Sequence, residues 1–258
     1  MILPIGDDNS DRTTTPYVNY LIIALNLFVF IFLQGAGNND RFTYAWATVP
    51  EEIITGRDIT TRPRVLEDRM TGERVEVPGL QPTPGSVYLT LLTSMFMHGG
   101  WAHILGNMLF LWIFGDNIED RLGHLRYLVF YLVCGLIASL AQVFTTVAFS
   151  TSASGLLVPS LGASGAISGV LGGYVLLFPR RQVHVIMFRF LTTVPAYIAL
   201  GLWFLFQFLS GIGLLGGDSQ GGGGVAYAAH VGGFIAGLAL VKIFAVGRNA
   251  PAPRWRSY

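Results

Sequence analysis

The strongest constraint on this 258-residue chain is a set of apolar runs, each close in length to the thickness of a bilayer. The first run, from Tyr17 to Gln34, contains the string LIIALNLFVFIFL, which only Asn26 interrupts. About 20 apolar residues in a helix cross roughly 30 Å of hydrocarbon. The sequence therefore predicts six spanning helices. The other five runs lie at about 101–114, 125–145, 162–178, 194–209 and 226–244.

The overall composition agrees with a chain embedded in lipid. Hydrophobic residues make up 52% of the chain and charged residues only 12%, whereas a soluble domain needs a more heavily charged surface. The net charge of +1 gives no reason to expect a nucleic-acid partner. The single cysteine, Cys134, excludes an intrachain disulfide and argues against a structural zinc cluster. We therefore expect a lipid bilayer around the chain, and we expect no metal and no cofactor.

The distribution of basic residues predicts how the helices are oriented. With six spans, both termini lie on one side, and that side holds ten of the 16 lysines and arginines. The other six lie in the long loop 35–86, together with eight acidic residues. Because basic residues favour the cytoplasmic side of a membrane, both termini are predicted to be cytoplasmic.

This orientation divides the chain into three parts. They are a cytoplasmic N-terminal segment 1–16, a six-helix membrane domain 17–244, and a basic cytoplasmic tail 245–258. The N-terminal segment is acidic, unlike a cleaved signal peptide, so we expect it to remain. Loop 35–86, between helices one and two, is predicted to be extracytoplasmic and to contain a β-hairpin around Thr71-Gly72, where apolar residues alternate on both sides of a glycine.

Four polar side chains lie near the predicted outer ends of helices two, four and six. His103 and Asn107 lie early in the second run, Ser164 opens the fourth within G-A-S-G, and His230 lies early in the sixth. Polar and ionisable side chains are costly in a membrane, and a functional role is the default hypothesis for them. Because these three helices cross in the same direction, the four side chains are predicted to converge in the outer part of the membrane.

Nucleophilic catalysis is the chemistry that this set of side chains favours. A serine hydroxyl needs an adjacent base, and histidine has a pKa near working pH, so Ser164 and His230 are the candidate nucleophile and base. His103 and Asn107 are four residues apart and lie on one face of a helix. Together with the backbone N–H of Ser164, they are candidate donors to an oxyanion.

Small residues supply a means of bringing the fourth and sixth helices together. Gly165 and Gly169 recur at four-residue spacing after Ser164, and Gly233 and Gly237 do so after His230. This spacing allows close approach of helix backbones.

Other intramembrane protease chemistries lack the residues that they need. The sequence contains no H-E-x-x-H motif for a zinc protease. Asp116 and Asp218 lie in predicted connections, and Lys242, the only lysine, lies near the cytoplasmic end of its run. A dyad of serine and histidine remains.

The order and spacing of these motifs resemble the rhomboid family of intramembrane serine proteases. The matching motifs are G-A-S-G at 162–165, H-x-x-x-N within HGGWAHILGN at 98–107, and A-H-x-x-G-x-x-x-G at 229–237. The resemblance covers residues 87–244. It implies an all-α integral membrane protein, a six-transmembrane-helix bundle with a long loop between helices one and two. In that bundle Ser164 and His230 would form the catalytic dyad, and His103 and Asn107 would help to form the oxyanion hole.

The resemblance also implies substrates and a location. Its members cut other membrane proteins in or next to transmembrane segments, so we expect transmembrane protein substrates, cleaved through an acyl-enzyme. The expected location is the bacterial inner (plasma) membrane. Two rival functions remain, namely an inactive relative that recognises spans without cutting them, and a transporter. No charged residue lies in the centre of a run, and no inverted repeat is visible, which argues against the transporter.

One departure from the family pattern concerns the candidate base. The position one turn after Ser164, which is often aromatic in relatives, is Ser168. Another side chain must therefore orient His230, and Tyr227 is a candidate. We expect His98, at the mouth of the site, to be structural or in contact with water.

Overall fold

The computed structural model describes residues 2–67, 74–150, 152–187, 190–212 and 226–248. Most of the described residues are helical. The helices are α1 (Tyr17–Phe28), α2 (Asp40–Trp46), α3 (Pro50–Thr55), α4 (Thr90–Thr93), α5 (Trp101–Leu122), α6 (His124–Phe149), α7 (Ala153–Leu156), α8 (Ser164–Leu177), α9 (Ala196–Gly211) and α10 (Tyr227–Phe244). The strands are β1 (Ile2–Asp7), β2 (Arg64–Glu67), β3 (Arg74–Val77), β4 (Gln182–Met187) and β5 (Phe190–Pro195).

Helices occur where the apolar runs predict them. Within the described part of the chain, α6 and α10 are long and apolar enough to cross a membrane by length and composition. Four more apolar helical segments in the described residues are shorter, namely Val87–Phe96, α8, α9 and α1 with its π-helical extension Val29–Leu33. These helices fit the expected helical membrane protein, and the count of six spans stays a prediction.

Helix α5 is longer than the sequence predicts. The residues after the predicted run 101–114 stay helical as far as Leu122, and Gly123, with φ 80°, separates α5 from α6. The charged end of α5 stays helical because its side chains have partners. Glu119 is fully buried and accepts the backbone N–H groups of Val18 and Asn19 at 2.9 and 2.7 Å. These bonds also satisfy donors at the start of α1.

The closest helix contact joins α8 to α10 through glycines. A Cβ atom added to Gly233 would lie 2.1 Å from the carbonyl oxygen of Gly165. One added to Gly237 would lie 1.9 Å from the carbonyl oxygen of Gly169. The structure thus brings together the four glycines that the sequence analysis singled out. Because α8 begins at Ser164 and His230 lies in α10, this contact also fixes the spacing of the candidate site.

A small sheet corrects the all-α prediction. Strand β1 pairs antiparallel with β4, and β4 pairs antiparallel with β5, in the order β1-β4-β5. The sequence predicts only a polar segment at 1–16 and does not indicate this sheet, because pairing between residues far apart in the chain leaves little local signal. Strand β5 leads directly into α9, so the N-terminal segment is connected through the sheet to that helix.

A polar cluster fastens the N-terminal segment to the ends of α5 and α8. Tyr174 donates a hydrogen bond to Asp7, and Asn117 Nδ2 donates to the same carboxylate oxygen at 2.9 Å. Arg12 pairs with Asp116 at 2.6 Å, and the side chain of Asp116 is only 5% exposed. Burial, together with the nearby Asp116 carboxylate, raises the pKa of Asp7 from 3.8 to about 7.

The raised pKa of Asp7 predicts that this contact weakens as pH rises. Between about pH 4 and pH 7 the native state holds a proton on Asp7 that the unfolded state releases, so this contribution to the free energy of unfolding falls over that range. Asp7→Asn should remove this contribution. We expect thermal unfolding in detergent micelles to show a smaller loss of stability between pH 5 and pH 8 for Asp7→Asn than for the wild type. An equal loss in both proteins would contradict the assignment.

Described residues of the loop between α1 and α5 contact the segment that precedes Ser164. The predicted hairpin is confirmed by the pairing of β2 with β3, and its turn at Thr71-Gly72 lies outside the described residues. Thr48 and Ser160 exchange two backbone hydrogen bonds of 3.0 and 2.8 Å. The Thr48 hydroxyl donates to the Thr90 carbonyl oxygen at 2.8 Å. The loop therefore supports the segment that leads to Ser164.

Candidate active site

Ser164 is the first residue of α8, and the turn before it requires glycine. Gly162 has φ 130°, a backbone conformation that side chains disfavour. A Cβ atom at this position would lie 2.9 Å from two ring atoms of His103, Cε1 and Nε2. The Gly162 N–H donates to the Ser94 carbonyl oxygen at 2.9 Å. The turn thus packs the His103 ring beside the start of α8, where backbone N–H groups lack partners within the helix.

His230 forms a hydrogen bond with Ser164. Its Nε2 lies 2.7 Å from Ser164 Oγ, and His230 is only 8% exposed. A hydrogen bond attaches the start of α10 to α6, because Gln142 Oε1 of α6 accepts the Ala229 N–H at 3.2 Å. The side chains that the sequence proposed as nucleophile and base are therefore in contact.

Two side chains of α9, Gln207 and Trp203, contact His230. Gln207 Oε1 lies 3.0 Å from His230 Nδ1. The Trp203 ring lies 6.0 Å from the His230 ring between centroids, at an interplanar angle of 35°. These contacts replace the proposed role of Tyr227. Ser168 instead donates its hydroxyl to the Ser164 carbonyl oxygen at 2.6 Å.

His103 and Asn107 lie one turn apart on α5 near the same site. The Gly99 N–H donates to His103 Nδ1 at 3.2 Å, so in the neutral ring the proton lies on Nε2, the atom that faces Gly162. Asn107 is 8% exposed, and its Nδ2 has no hydrogen-bond partner among the described residues. A buried amide nitrogen of this kind is costly unless a ligand satisfies it.

His98 is buried beside His103, which favours the structural one of its two expected roles. It is 1% exposed, and its ring packs edge-on against the His103 ring at 5.1 Å between centroids. Its backbone forms two hydrogen bonds with the Gln34 side chain, at 2.9 and 3.0 Å. His98 therefore joins the end of the first apolar helix to the segment before α5, and its role is structural.

A cavity of about 20 Å³ lies beside Ser164, close to the size needed for one water molecule. Its lining carries several hydroxyl groups and one amide. The polar residues of this lining are Ser94, Ser139, Gln142, Ser160 and Ser164.

Gln207 is the site residue that the sequence analysis missed. It is 9% exposed and lies in the apolar run that forms α9. The signal was present, since an amide side chain in such a run is costly and indicates a polar partner. Helix α9 also contacts α5 through Trp203 and Phe110, whose ring centroids are 6.4 Å apart.

Taken together, the apolar helices, the hydrogen-bonded serine–histidine pair and the unsatisfied amide define a helical membrane protein with a hydrolase-like site. The Rhomboid domain model matches residues 85–246, which is more than half of the chain. The chain belongs to the rhomboid family.

Individual relatives agree with this family membership. Over 151 residues, covering 58% of this chain, the sequence is 33% identical to Rhomboid protein 1, mitochondrial, of Saccharomyces cerevisiae. It is 29% identical to Rhomboid protease GluP of Bacillus subtilis over 236 residues, or 87% of this chain. It is 35% identical to Presenilin-associated rhomboid-like protein A, mitochondrial, of Danio rerio over 99 residues, or 38% of this chain. The matched regions span 40%, 35% and 24% of these three relatives.

Proposed function

We propose that this chain is an intramembrane serine endopeptidase that hydrolyses peptide bonds in or next to transmembrane segments of other membrane proteins. The observation that carries the proposal is the 2.7 Å contact between Ser164 Oγ and His230 Nε2 at the start of α8. Family membership supports it, and one matched relative is named a protease. The chain itself supplies every group that the reaction needs, so the proposal includes no cofactor and no metal.

The reaction begins with a proton transfer. His230 Nε2 accepts the proton of Ser164 Oγ as this oxygen attacks the scissile carbonyl carbon, which forms a tetrahedral oxyanion. When the intermediate collapses, the imidazolium of His230 donates the proton to the leaving amine, and an acyl-enzyme remains on Ser164. Water then attacks the ester with His230 again as base. The small polar cavity beside Ser164 is the natural reservoir for this water.

Three donors are available for the oxyanion. They are Asn107 Nδ2, His103 Nε2 and the backbone N–H of Ser164. The first two belong to one face of α5, and the third belongs to the positive end of α8. Asn107 Nδ2 is the best supported of the three donors, because no acceptor in the described part of the chain forms a hydrogen bond with it. A donor held unpaired in the resting enzyme is ready for charge that develops in the transition state.

Asn107→Ala should lower kcat by about 10- to 1,000-fold and change KM much less, because the donor acts on charge that appears mainly in the transition state. The measurement is steady-state cleavage of a single-span substrate in lipid vesicles. Asn38→Ala, at an exposed position after α1, is the control and should behave as the wild type. An effect confined to KM would reassign Asn107 to substrate binding.

The proposed topology follows from the charge distribution and places the site in the outer part of the membrane. We propose six spans with both termini in the cytoplasm of a bacterial inner membrane. The sheet β1-β4-β5 supports part of this proposal. It pairs strand β1 of the N-terminal segment with strand β4 between α8 and α9, as expected if both lie on the same side of the membrane. Loop 35–86 would then lie outside, next to Ser164.

The proposed activity is tested with the purified protein in lipid vesicles and a panel of single-span substrates. We expect cleavage within or beside the span, and covalent labelling of Ser164 by a small water-soluble fluorophosphonate. If neither cleavage nor labelling occurs while substrates still bind, the chain is an inactive relative that recognises spans without cutting them.

A further inference from the structure

The contact between α9 and the imidazole of His230 has a role in the reaction beyond packing. Gln207 Oε1 lies 3.0 Å from Nδ1, and Ser164 Oγ lies 2.7 Å from Nε2 on the opposite side of the ring. The three side chains thus form a chain of hydrogen bonds that runs from α9 through α10 to α8. Both Gln207 and His230 are at most 9% exposed, so water does not compete strongly for these bonds.

The direction of the hydrogen bonds decides what this arrangement does. A carbonyl oxygen can only accept, so Gln207 Oε1 requires the proton of the neutral ring to be on Nδ1. Nε2 is then unprotonated, which is the state that can accept the proton of Ser164. The same bond persists when the ring becomes an imidazolium. In a serine–histidine–aspartate triad the third residue also fixes the tautomer and the ring orientation.

We propose that Gln207 is a positioning residue for His230, which it holds in the tautomer and orientation that accept the proton of Ser164. This inference rests on the proposed function. Gln207 is a neutral amide, so it orients the base without adding a negative charge. The absence of an aromatic residue at Ser168 is consistent with this role, because the orienting contacts on His230 come from α9 instead of α8.

The location of Gln207 on α9 gives the arrangement a second consequence. Helix α9 contacts α10 through stacked rings of Phe204 and Phe234, 4.4 Å apart between centroids, and contacts α5 through Trp203 and Phe110. A displacement of α9 that breaks the bond from Gln207 releases the orientation of the base. The position of α9 and the reactivity of Ser164 are therefore coupled.

The test replaces Gln207 with a side chain of similar length that is at most a weak hydrogen-bond acceptor. Gln207→Met should lower both kcat for a single-span substrate and the rate of Ser164 labelling by a small fluorophosphonate, each by about 10- to 100-fold, with KM nearly unchanged. Gln207→Glu restores an acceptor and should recover most of the loss. The control is Phe206→Leu. Phe206 precedes Gln207 in α9 and its side chain is exposed, so this substitution should leave both rates unchanged.

The labelling rate separates positioning from packing. If Gln207 only holds α9 in place, Gln207→Met would leave labelling by the small reagent unchanged, because that reagent does not need α9 to move. Labelling at the wild-type rate in Gln207→Met would therefore overturn the proposal while leaving the proposed function intact. Equal losses in Gln207→Met and Gln207→Glu would also contradict it.

A spectroscopic measurement tests the same bond without relying on activity. In protein labelled with ¹⁵N-histidine, the ring-nitrogen resonances of His230, assigned by their loss in His230→Ala, should show the proton on Nδ1 in the wild type. In Gln207→Met they should show a mixture of tautomers. A wild-type protein that neither cleaves nor labels would contradict the proposed function. The tautomer measured in that same protein would still decide whether Gln207 positions the ring.

Discussion

Ser164→Ala and His230→Ala should each abolish cleavage of transmembrane substrates, with losses of the order of 10⁶-fold in kcat, as found when either member of such a pair is removed. The physical reason is that neither group is effective alone. The Ser164 hydroxyl is a weak nucleophile until Nε2 of His230, 2.7 Å away, takes its proton. The double variant should be no less active than either single variant, because the two groups act as a unit.

Matched controls separate this chemistry from damage to the fold. Ser168→Ala removes a hydroxyl one turn further along α8, where it bonds only the Ser164 carbonyl oxygen in the structure described. His184→Ala removes an imidazole from β4. Both controls should keep cleavage within a few-fold of the wild type, measured with the same vesicles and substrate. Appreciable turnover by purified Ser164→Ala would remove Ser164 from the role of nucleophile.

The sequence predicted best those features that depend on local pattern. The apolar run at 226–244 became α10, Tyr227–Phe244, because a run of that length and composition has few alternatives in a membrane. The G-A-S-G motif located Ser164 at a helix start, and the four-residue spacing of glycines located the contact between α8 and α10. Residue type and spacing alone were therefore enough to pair the proposed nucleophile with the proposed base.

The features that the sequence did not predict depend on partners distant in the chain. Glu119 and Asp116 resemble a polar exit from the membrane, yet they remain in α5 because Asn19 of α1 bonds Glu119 and Arg12 of the N-terminal segment bonds Asp116. The pairing of β1 with β4 joins residues that are about 180 positions apart. Gln207 was recognisable as an unusual amide in an apolar run, but only the structure identifies His230 as its partner.

Gly237→Ala should reduce cleavage by about a hundredfold or more, although it adds a single carbon 7 residues away from His230 in the sequence. The added Cβ atom would lie 1.9 Å from the carbonyl oxygen of Gly169 and 2.7 Å from its carbonyl carbon. These are backbone atoms, so no side-chain rotation relieves the clash, and α10 must move away from α8. That movement carries His230 away from Ser164, and a displacement of about 1 Å is enough to cost about a hundredfold in rate.

The matched control for this substitution is Gly201→Ala in α9. No atom lies within 4 Å of a Cβ added to Gly201, so the change should preserve cleavage and stabilise the helix by about 0.5–1 kcal/mol. Cleavage rate and thermal unfolding in the same detergent are the measurements for both variants. If Gly237→Ala matched Gly201→Ala in both, α8 and α10 would not be in backbone contact. Loss of activity in Gly237→Ala alone would instead show that the glycine contact sets the distance between the nucleophile and its base, because the two substitutions add the same carbon atom and differ only in what that atom meets.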